Sequence, residues 1–190
     1  MSKLKVVSIS VKLQGVAPIM FDRFIDHSKE DRPPQQKFYL ADGDRVVLPA
    51  MNLDSFLFSD SGAVRCVEGR AAKNFMAVGN SHVNIDPALI PFTDGKNDIV
   101  FNGFDGKRFW IHDFGAPVTK LGSSRIKQPM KKRPVLNPPW FLSFEINMVE
   151  NDIITPQKLR NWIDVGGIMI GLGTWKPKYG RFVICEWKEK

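Results

Sequence analysis

The last quarter of the chain carries the signals that most constrain its fold. Trp140 to Met148 is a long aromatic run that predicts a strand. Thr155 and Pro156 predict a helix start, because a hydroxyl N-cap precedes proline at the first helical position. That helix extends to about Ile170 and is followed by a glycine-rich basic loop and a final strand from Phe182 to Trp187. The order strand, helix, loop, strand predicts a mixed α and β domain.

The preceding part of the chain predicts further strands and one more helix. Leu4 to Leu13 mostly alternates apolar and polar residues, which indicates a strand with one solvated face. Asn52 is predicted to cap a helix that begins at Leu53 and carries Asp54 in its first turn. Shorter strands are predicted beside turn sequences, at Lys37 to Leu40, Arg45 to Leu48, His82 to Ile85, Ile99 to Phe101 and Arg108 to His112.

The net charge points to phosphate-bearing partners. The chain has 190 residues and a formal net charge of +7, and such a positive field attracts nucleic acid. A soluble enzyme that happens to be basic is the alternative. The length favours one domain over residues 1–190. The N-terminus lacks the apolar core of a signal peptide, and no run is long enough for a membrane helix. We therefore expect a cytoplasmic protein without a membrane partner.

An acid-free segment separates the middle of the chain from its last quarter. No acidic residue occurs between Asp113 and Glu145, and a run of like charge without a hydrophobic period stays solvated or projects as an arm. The segment at about 115–139 is either a surface loop or an arm that lies along a phosphate backbone. Its cations, predicted to contact RNA, are Lys120, Arg125, Lys127, Lys131, Lys132 and Arg133.

The glycine-rich loop combines three residue types that suit single-stranded nucleic acid. Glycine lets backbone N–H groups approach an anion, cations contact phosphates, and aromatic rings stack on bases. The glycines follow a helix and precede a strand, whereas dinucleotide and P-loop motifs open a helix, so a nucleotide cofactor is not predicted. The alternative is a tight structural turn. The predicted RNA contacts are Gly171, Gly173, Trp175, Lys176, Lys178, Tyr179 and Arg181.

The stretch GGIMIGLGTWKPKYGRF, from Gly166 to Phe182, resembles the ending of the RAMP superfamily, the RNA-binding proteins that build CRISPR effector complexes. A weaker similarity lies at Val47 to Leu57, which resembles the family passage IPGSSLKG at a strand-to-helix junction. The sequence departs from that passage where Ala50 replaces a glycine and where Asp54 and Ser55 stand in place of Lys-Gly.

The resemblance implies an α+β, ferredoxin-like (RRM-like) core with an antiparallel sheet, two helices and inserted loops or a hairpin arm. It implies a subunit of a CRISPR effector, or a phage-borne relative, that binds single-stranded or guide RNA. Such subunits oligomerise along RNA or join other effector subunits, and the acid-free segment suits their projecting hairpin. We add Arg23 and Asn52 to the predicted RNA contacts.

Catalysis remains an alternative. In some relatives, the first long loop supplies an aspartate for metal-dependent RNA cleavage, and in others a histidine near the first helix is the general acid or base. The corresponding candidates here are Asp22, Asp26 and His27. Cys66 and Cys185 form no CxxC pair, so no metal or other cofactor is predicted. A protein-binding mimic of an effector subunit is a third possibility.

Overall fold

The computed structural model describes residues 5–23, 32–113, 119–121, 124–126 and 131–190. Three of the predicted site residues, Asp26, His27 and Lys127, lie outside the described residues. The described part of the chain forms twelve strands and four α-helices. The strands are β1 Lys5–Gly15, β2 Ile19–Met20, β3 Leu40–Ala41, β4 Arg45–Pro49, β5 Val83–Asp86, β6 Leu89–Thr93, β7 Phe109–His112, β8 Thr119–Leu121, β9 Ser124–Ile126, β10 Arg133–Leu136, β11 Phe141–Glu150 and β12 Phe182–Glu189. The helices are α1 Ala50–Phe58, α2 Ala63–Glu68, α3 Ala72–His82 and α4 Pro156–Met169, with short 3-10 turns at Pro34–Lys37 and Gly69–Ala71.

The main sheet is antiparallel, with β1 between β11 and the edge strand β12. On the other side of β11 lie β5 and β6, which each pair with a different part of that strand, and β4 and β3 extend the sheet beyond β6. The chain runs β1, helices α1–α3, β5 and β6, β11, α4, β12. The strand order and these two helical connections define a ferredoxin-like α+β fold, and the predicted fold class is confirmed.

Buried apolar and more exposed polar side chains alternate along the strands, so the sheet has one helix-covered face and one solvated face. Val11 opposite Phe144 and Leu13 opposite Leu142 are buried pairs on the helix-covered face. Trp162 of α4 enters this core fully buried, and its indole N–H donates to Glu68 Oε1 of α2 at 2.7 Å. Among the residues that the structure describes, no helix combines the length and apolar character needed to cross a bilayer.

A second sheet of three short antiparallel strands, in the order β2, β10, β7, lies beside the glycine-rich loop. Strand β10 places Arg133 opposite His112. A separate hairpin of β8 and β9, which puts Lys120 opposite Arg125 in register, lies within the predicted arm. The basic segment therefore contributes both a hairpin and one strand of the second sheet.

The first helical region differs from its prediction. Helix α1 begins at Ala50, with Pro49 in the N-cap position and no side-chain cap, so the prediction that Asn52 caps this helix is wrong. Asp54 accordingly lies beyond the first turn, and partial burial raises its pKa above the usual value. The Ala50 N–H is satisfied by the carbonyl oxygen of Ala88 at 2.9 Å, a tertiary contact that replaces a cap.

Two smaller predictions about strands also require correction. The predicted strand at Lys37 to Leu40 is wrong except at its last residue, because Pro34–Lys37 forms a 3-10 turn and β3 begins at Leu40. The segment Ile99 to Phe101 makes only an isolated bridge between Val100 and Arg45, so a regular strand there is wrong. The sequence did not predict strand β6, which contains Pro91. Proline has no backbone N–H to donate to a neighbouring strand, so its presence argues against a strand. In the fold Pro91 lies opposite Val47 in the pairing of β6 with β4.

Candidate nucleic-acid interface

The glycine-rich loop between α4 and β12 is shaped by close backbone packing. Gly173 has φ +78°, and a Cβ added there would lie 2.5 Å from the carbonyl oxygen of Met20. Gly180 has φ +77°, and its Cβ would lie 1.8 Å from the carbonyl oxygen of Leu172. Gly171 also has a positive φ and lies against the backbone of Gly180. These contacts leave no space for side chains at the three positions.

Several N–H groups of the loop donate within the protein. Leu172 N–H donates to Gly180 O at 2.9 Å, and Gly180 N–H donates to Pro18 O at 2.7 Å. Thr174 N–H donates to Met20 O at 2.9 Å and ties the loop to the second sheet. These three groups are therefore not aimed at an anion. The three glycines therefore serve the structural turn.

The aromatic side chains of the loop lie together over the second sheet. The Trp175 and Tyr179 rings are nearly parallel, with an interplanar angle of 7° and centroids 6.2 Å apart. His112 of β7 lies edge-on to Trp175, with centroids 4.6 Å apart. Both loop rings are half-buried, so each retains accessible surface. Burial and the nearby Arg133 guanidinium hold the pKa of His112 below its usual value.

The three cations of the loop are solvent-exposed, as phosphate contacts require. The Arg181 guanidinium donates from Nε to the carbonyl oxygen of Pro177 at 2.8 Å, which orients that side chain along the loop. Lys178 is exposed at the tip. Desolvation of the Lys176 ammonium group lowers the pKa of Lys176 below its usual value, although the residue as a whole is exposed.

Arg133 and Asp22 form an ion pair between β10 and the segment after β2. Arg133 Nε lies 2.9 Å from Asp22 Oδ2, with side-chain exposures of 14% and 25%. Arg133 is therefore a half-buried strand residue, and its charge is balanced by a carboxylate. Nearby, the buried Lys37 ammonium group donates to the carbonyl oxygen of Lys132 at 2.6 Å. Lys132 is exposed and Lys131 is half-buried.

Arg23 and Asn52, the other two predicted contacts, lie on different parts of the surface. The guanidinium of exposed Arg23 lies over the Tyr39 ring, 5.5 Å from its centroid. Arg23 lines an open groove of about 650 Å³ together with Gln36 and Phe101. Asn52 points instead into a smaller cavity between α1 and the glycine-rich loop.

We call this second space the loop–helix cavity. It measures about 260 Å³, and its apolar lining residues are Phe21, Leu48 and Leu172. The polar residues of its lining, which we call the polar wall, are Asp22, Asn52, Ser55, Thr174, Lys176 and Tyr39. Asp22, Asn52 and Lys176 were predicted separately, and the fold brings all three to one cavity. Tyr39, Ser55 and Thr174 were missed, because no local pattern distinguishes them from ordinary surface residues.

The solvated face of the main sheet has balanced charge. Glu186 of β12 pairs with Lys12 at 3.9 Å and with Lys188 at 2.9 Å. Glu145 of β11 pairs with Lys190. Because carboxylates are interspersed with the lysines, this face lacks the uniform positive potential that favours a phosphate backbone. Among the described residues, no group of three or more His, Cys, Asp or Glu side chains could hold a metal ion.

The fold and these side chains define the chain as a ferredoxin-like α+β protein with a structured, basic and aromatic glycine-rich loop. No protein-family model matches the sequence, and neither does any curated protein. The structure is similar to a chain in the cryo-EM structure of the Type III-B Cmr-beta bound to cognate target RNA, with a TM-score of 0.55 and 12% identity. The match covers 97% of this chain and spans 61% of the other chain, and it establishes a common fold.

Proposed function

We propose that this protein is an RNA-binding subunit of the CRISPR-effector kind, or a phage-borne relative of one. In this proposal, residues 1–190 form one RAMP domain with a basic arm at about 115–139, and the domain assembles along single-stranded or guide RNA with further copies or other effector subunits. The supporting observation is the fold shared over 97% of the chain with a component of a complex bound to target RNA. The charge and the loop chemistry agree with that role.

The binding surface in this proposal is the glycine-rich loop with the neighbouring arm. The loop presents three exposed cations, Lys176, Lys178 and Arg181, beside the stacked rings of Trp175 and Tyr179. Cations beside accessible aromatic faces are the combination with which proteins hold single strands. The open face of the sheet, with its paired lysines and glutamates, supports this choice because it offers no comparable positive surface.

Fluorescence anisotropy with a labelled single-stranded RNA at several salt concentrations tests the proposal. Each phosphate contact to a single strand contributes a slope of about −0.7 to log K against log salt, so three loop cations predict about −2 from the loop alone. Lys178→Ala is expected to weaken binding to all sequences and to reduce the slope by about 0.7. Lys73→Ala, which removes an exposed cation from α3, is the charge-matched control and is expected to bind as the wild type does.

Absence of RNA binding, or affinity that does not respond to salt, would overturn the proposal. Binding that is weakened equally by both variants would place the interface elsewhere. The same samples, incubated with and without magnesium, test the alternative nuclease role, which requires the RNA to be cut. The protein-binding mimic predicts no RNA affinity together with co-purification of a partner complex.

A further inference from the structure

The loop–helix cavity lies beside the proposed RNA-binding loop and has room for a single small group such as one nucleobase. At about 260 Å³ it is smaller than the roughly 300–1,000 Å³ pockets that hold drug-sized ligands. Phe21, Leu48 and Leu172 give it apolar contact area, and the other side chains of its lining are polar. We propose that the loop–helix cavity binds one unpaired guanine base of the bound RNA. This inference rests on the proposed RNA binding and adds base preference to it.

The polar wall supplies the hydrogen-bonding groups that a guanine edge requires. Guanine presents two adjacent donors, N1–H and the N2 amino group, beside the O6 acceptor, whereas each other RNA base presents at most one donor on its Watson–Crick edge. A carboxylate is an acceptor that can take two adjacent donors, and an ammonium or amide nitrogen donates to a carbonyl oxygen. Asp22 provides the carboxylate, and Lys176 and Asn52 provide the donors.

The acceptor is held in place before any ligand arrives. Arg133 Nε binds Asp22 Oδ2 at 2.9 Å, and Arg133 is itself fixed within β10. This contact restricts the rotation of the Asp22 carboxylate, which reduces the conformational entropy lost on binding. Lys176 belongs to the glycine-rich loop, so a base in the cavity adjoins the cations and rings that contact the rest of the strand.

Anisotropy with two uridine oligomers, one carrying a single central guanosine and the other a single central adenosine, tests the assignment. Wild-type protein is expected to bind the guanosine oligomer about 5- to 150-fold more tightly, the range for one bidentate base contact. Asp22→Asn removes the double acceptor and is expected to abolish the preference while keeping affinity for the adenosine oligomer. Asn52→Ala, which leaves the Arg133 contact intact, is expected to reduce the preference.

Asp60→Asn is the control for net charge, because it neutralises an exposed aspartate outside the cavity. It is expected to retain the full guanosine preference. Equal binding of the two oligomers by the wild type overturns the guanine assignment but leaves RNA binding in place. A preference that survives in both Asp22→Asn and Asn52→Ala places the reading group outside the cavity and also overturns the assignment. Failure to bind either oligomer refutes the proposed function itself, so the two failures are distinguishable.

Discussion

The substitution Gly180→Ala tests whether close backbone packing defines the glycine-rich loop. The added Cβ would lie 1.8 Å from the oxygen and 2.7 Å from the carbon of the Leu172 carbonyl, both of them backbone atoms. No side chain can rotate away to relieve this contact, so the backbone must move. The movement breaks two hydrogen bonds, from Gly180 N–H to Pro18 O and from Leu172 N–H to Gly180 O.

The expected loss of stability in Gly180→Ala follows from the backbone strain and from the two broken hydrogen bonds. A non-glycine residue in the left-handed region costs about 1–2 kcal/mol, and each of the two hydrogen bonds contributes about 0.5–1.5 kcal/mol to stability. Gly180→Ala is therefore expected to lower the free energy of unfolding by about 2–5 kcal/mol. Gly43 has a similar φ of +72° with nothing within 4 Å of its added Cβ, so Gly43→Ala is expected to cost only about 1–2 kcal/mol.

Urea denaturation followed by tryptophan fluorescence gives both free energies of unfolding under the same conditions. Both variants carry the cost of a non-glycine residue at positive φ, so the difference between their free energies of unfolding gives the cost of the backbone contact at Gly180 alone. If Gly180→Ala destabilises the protein no more than Gly43→Ala does, close packing of the loop is not the constraint, and our account of the loop is wrong.

Two further predictions concern the aromatic cluster. Trp175→Ala is expected to weaken RNA binding by about 5- to 150-fold, which corresponds to the loss of one stacked base. Trp175→Phe keeps an aromatic ring and is expected to retain most of the affinity. If Trp175→Ala binds RNA as tightly as the wild type in anisotropy measurements, Trp175 does not stack on a base. Burial and the nearby Arg133 guanidinium lower the pKa of His112 in the folded state. As the pH falls below about 6.5, His112 is therefore protonated in the unfolded chain before it is protonated in the folded protein. The free energy of unfolding of the wild type is therefore expected to fall as the pH drops below about 7, by up to about 1.4 kcal/mol per pH unit more than that of His112→Gln. Identical pH slopes in urea titrations of the two proteins would contradict this.

The C-terminal part of the fold could be predicted from sequence because its signals are local. Thr155 does accept a hydrogen bond from the Lys158 N–H at 3.3 Å, as expected of an N-cap, and helix α4 begins at Pro156. Strand β11 begins one residue after the predicted start, at Phe141, and extends two residues beyond Met148, to Glu150. Each of these elements is specified by residues within one or two turns of one another.

The start of α1 and the loop–helix cavity could not be predicted, because both depend on contacts between distant residues. Asn52 has the side chain of a good N-cap, but the hydrogen bond from Ala50 N–H to Ala88 O allows the helix to begin earlier. The cavity combines Asp22, Asn52 and Lys176 from three separate segments. The sequence could identify each of them as polar, but not that they line one cavity.

The ion pair between Arg133 and Asp22 changes the interpretation of both residues. The sequence indicated that Arg133 is one of six arm cations and that Asp22 is one of three candidates for the alternative catalytic role. In the structure, each charge is compensated by the other at 2.9 Å, in a half-buried position. A compensated arginine adds little to the attraction of a phosphate backbone, and a carboxylate held by arginine is a fixed hydrogen-bond acceptor. Within the proposed function, the pair is therefore better suited to position a base beside the loop than to attract the strand or to cut it.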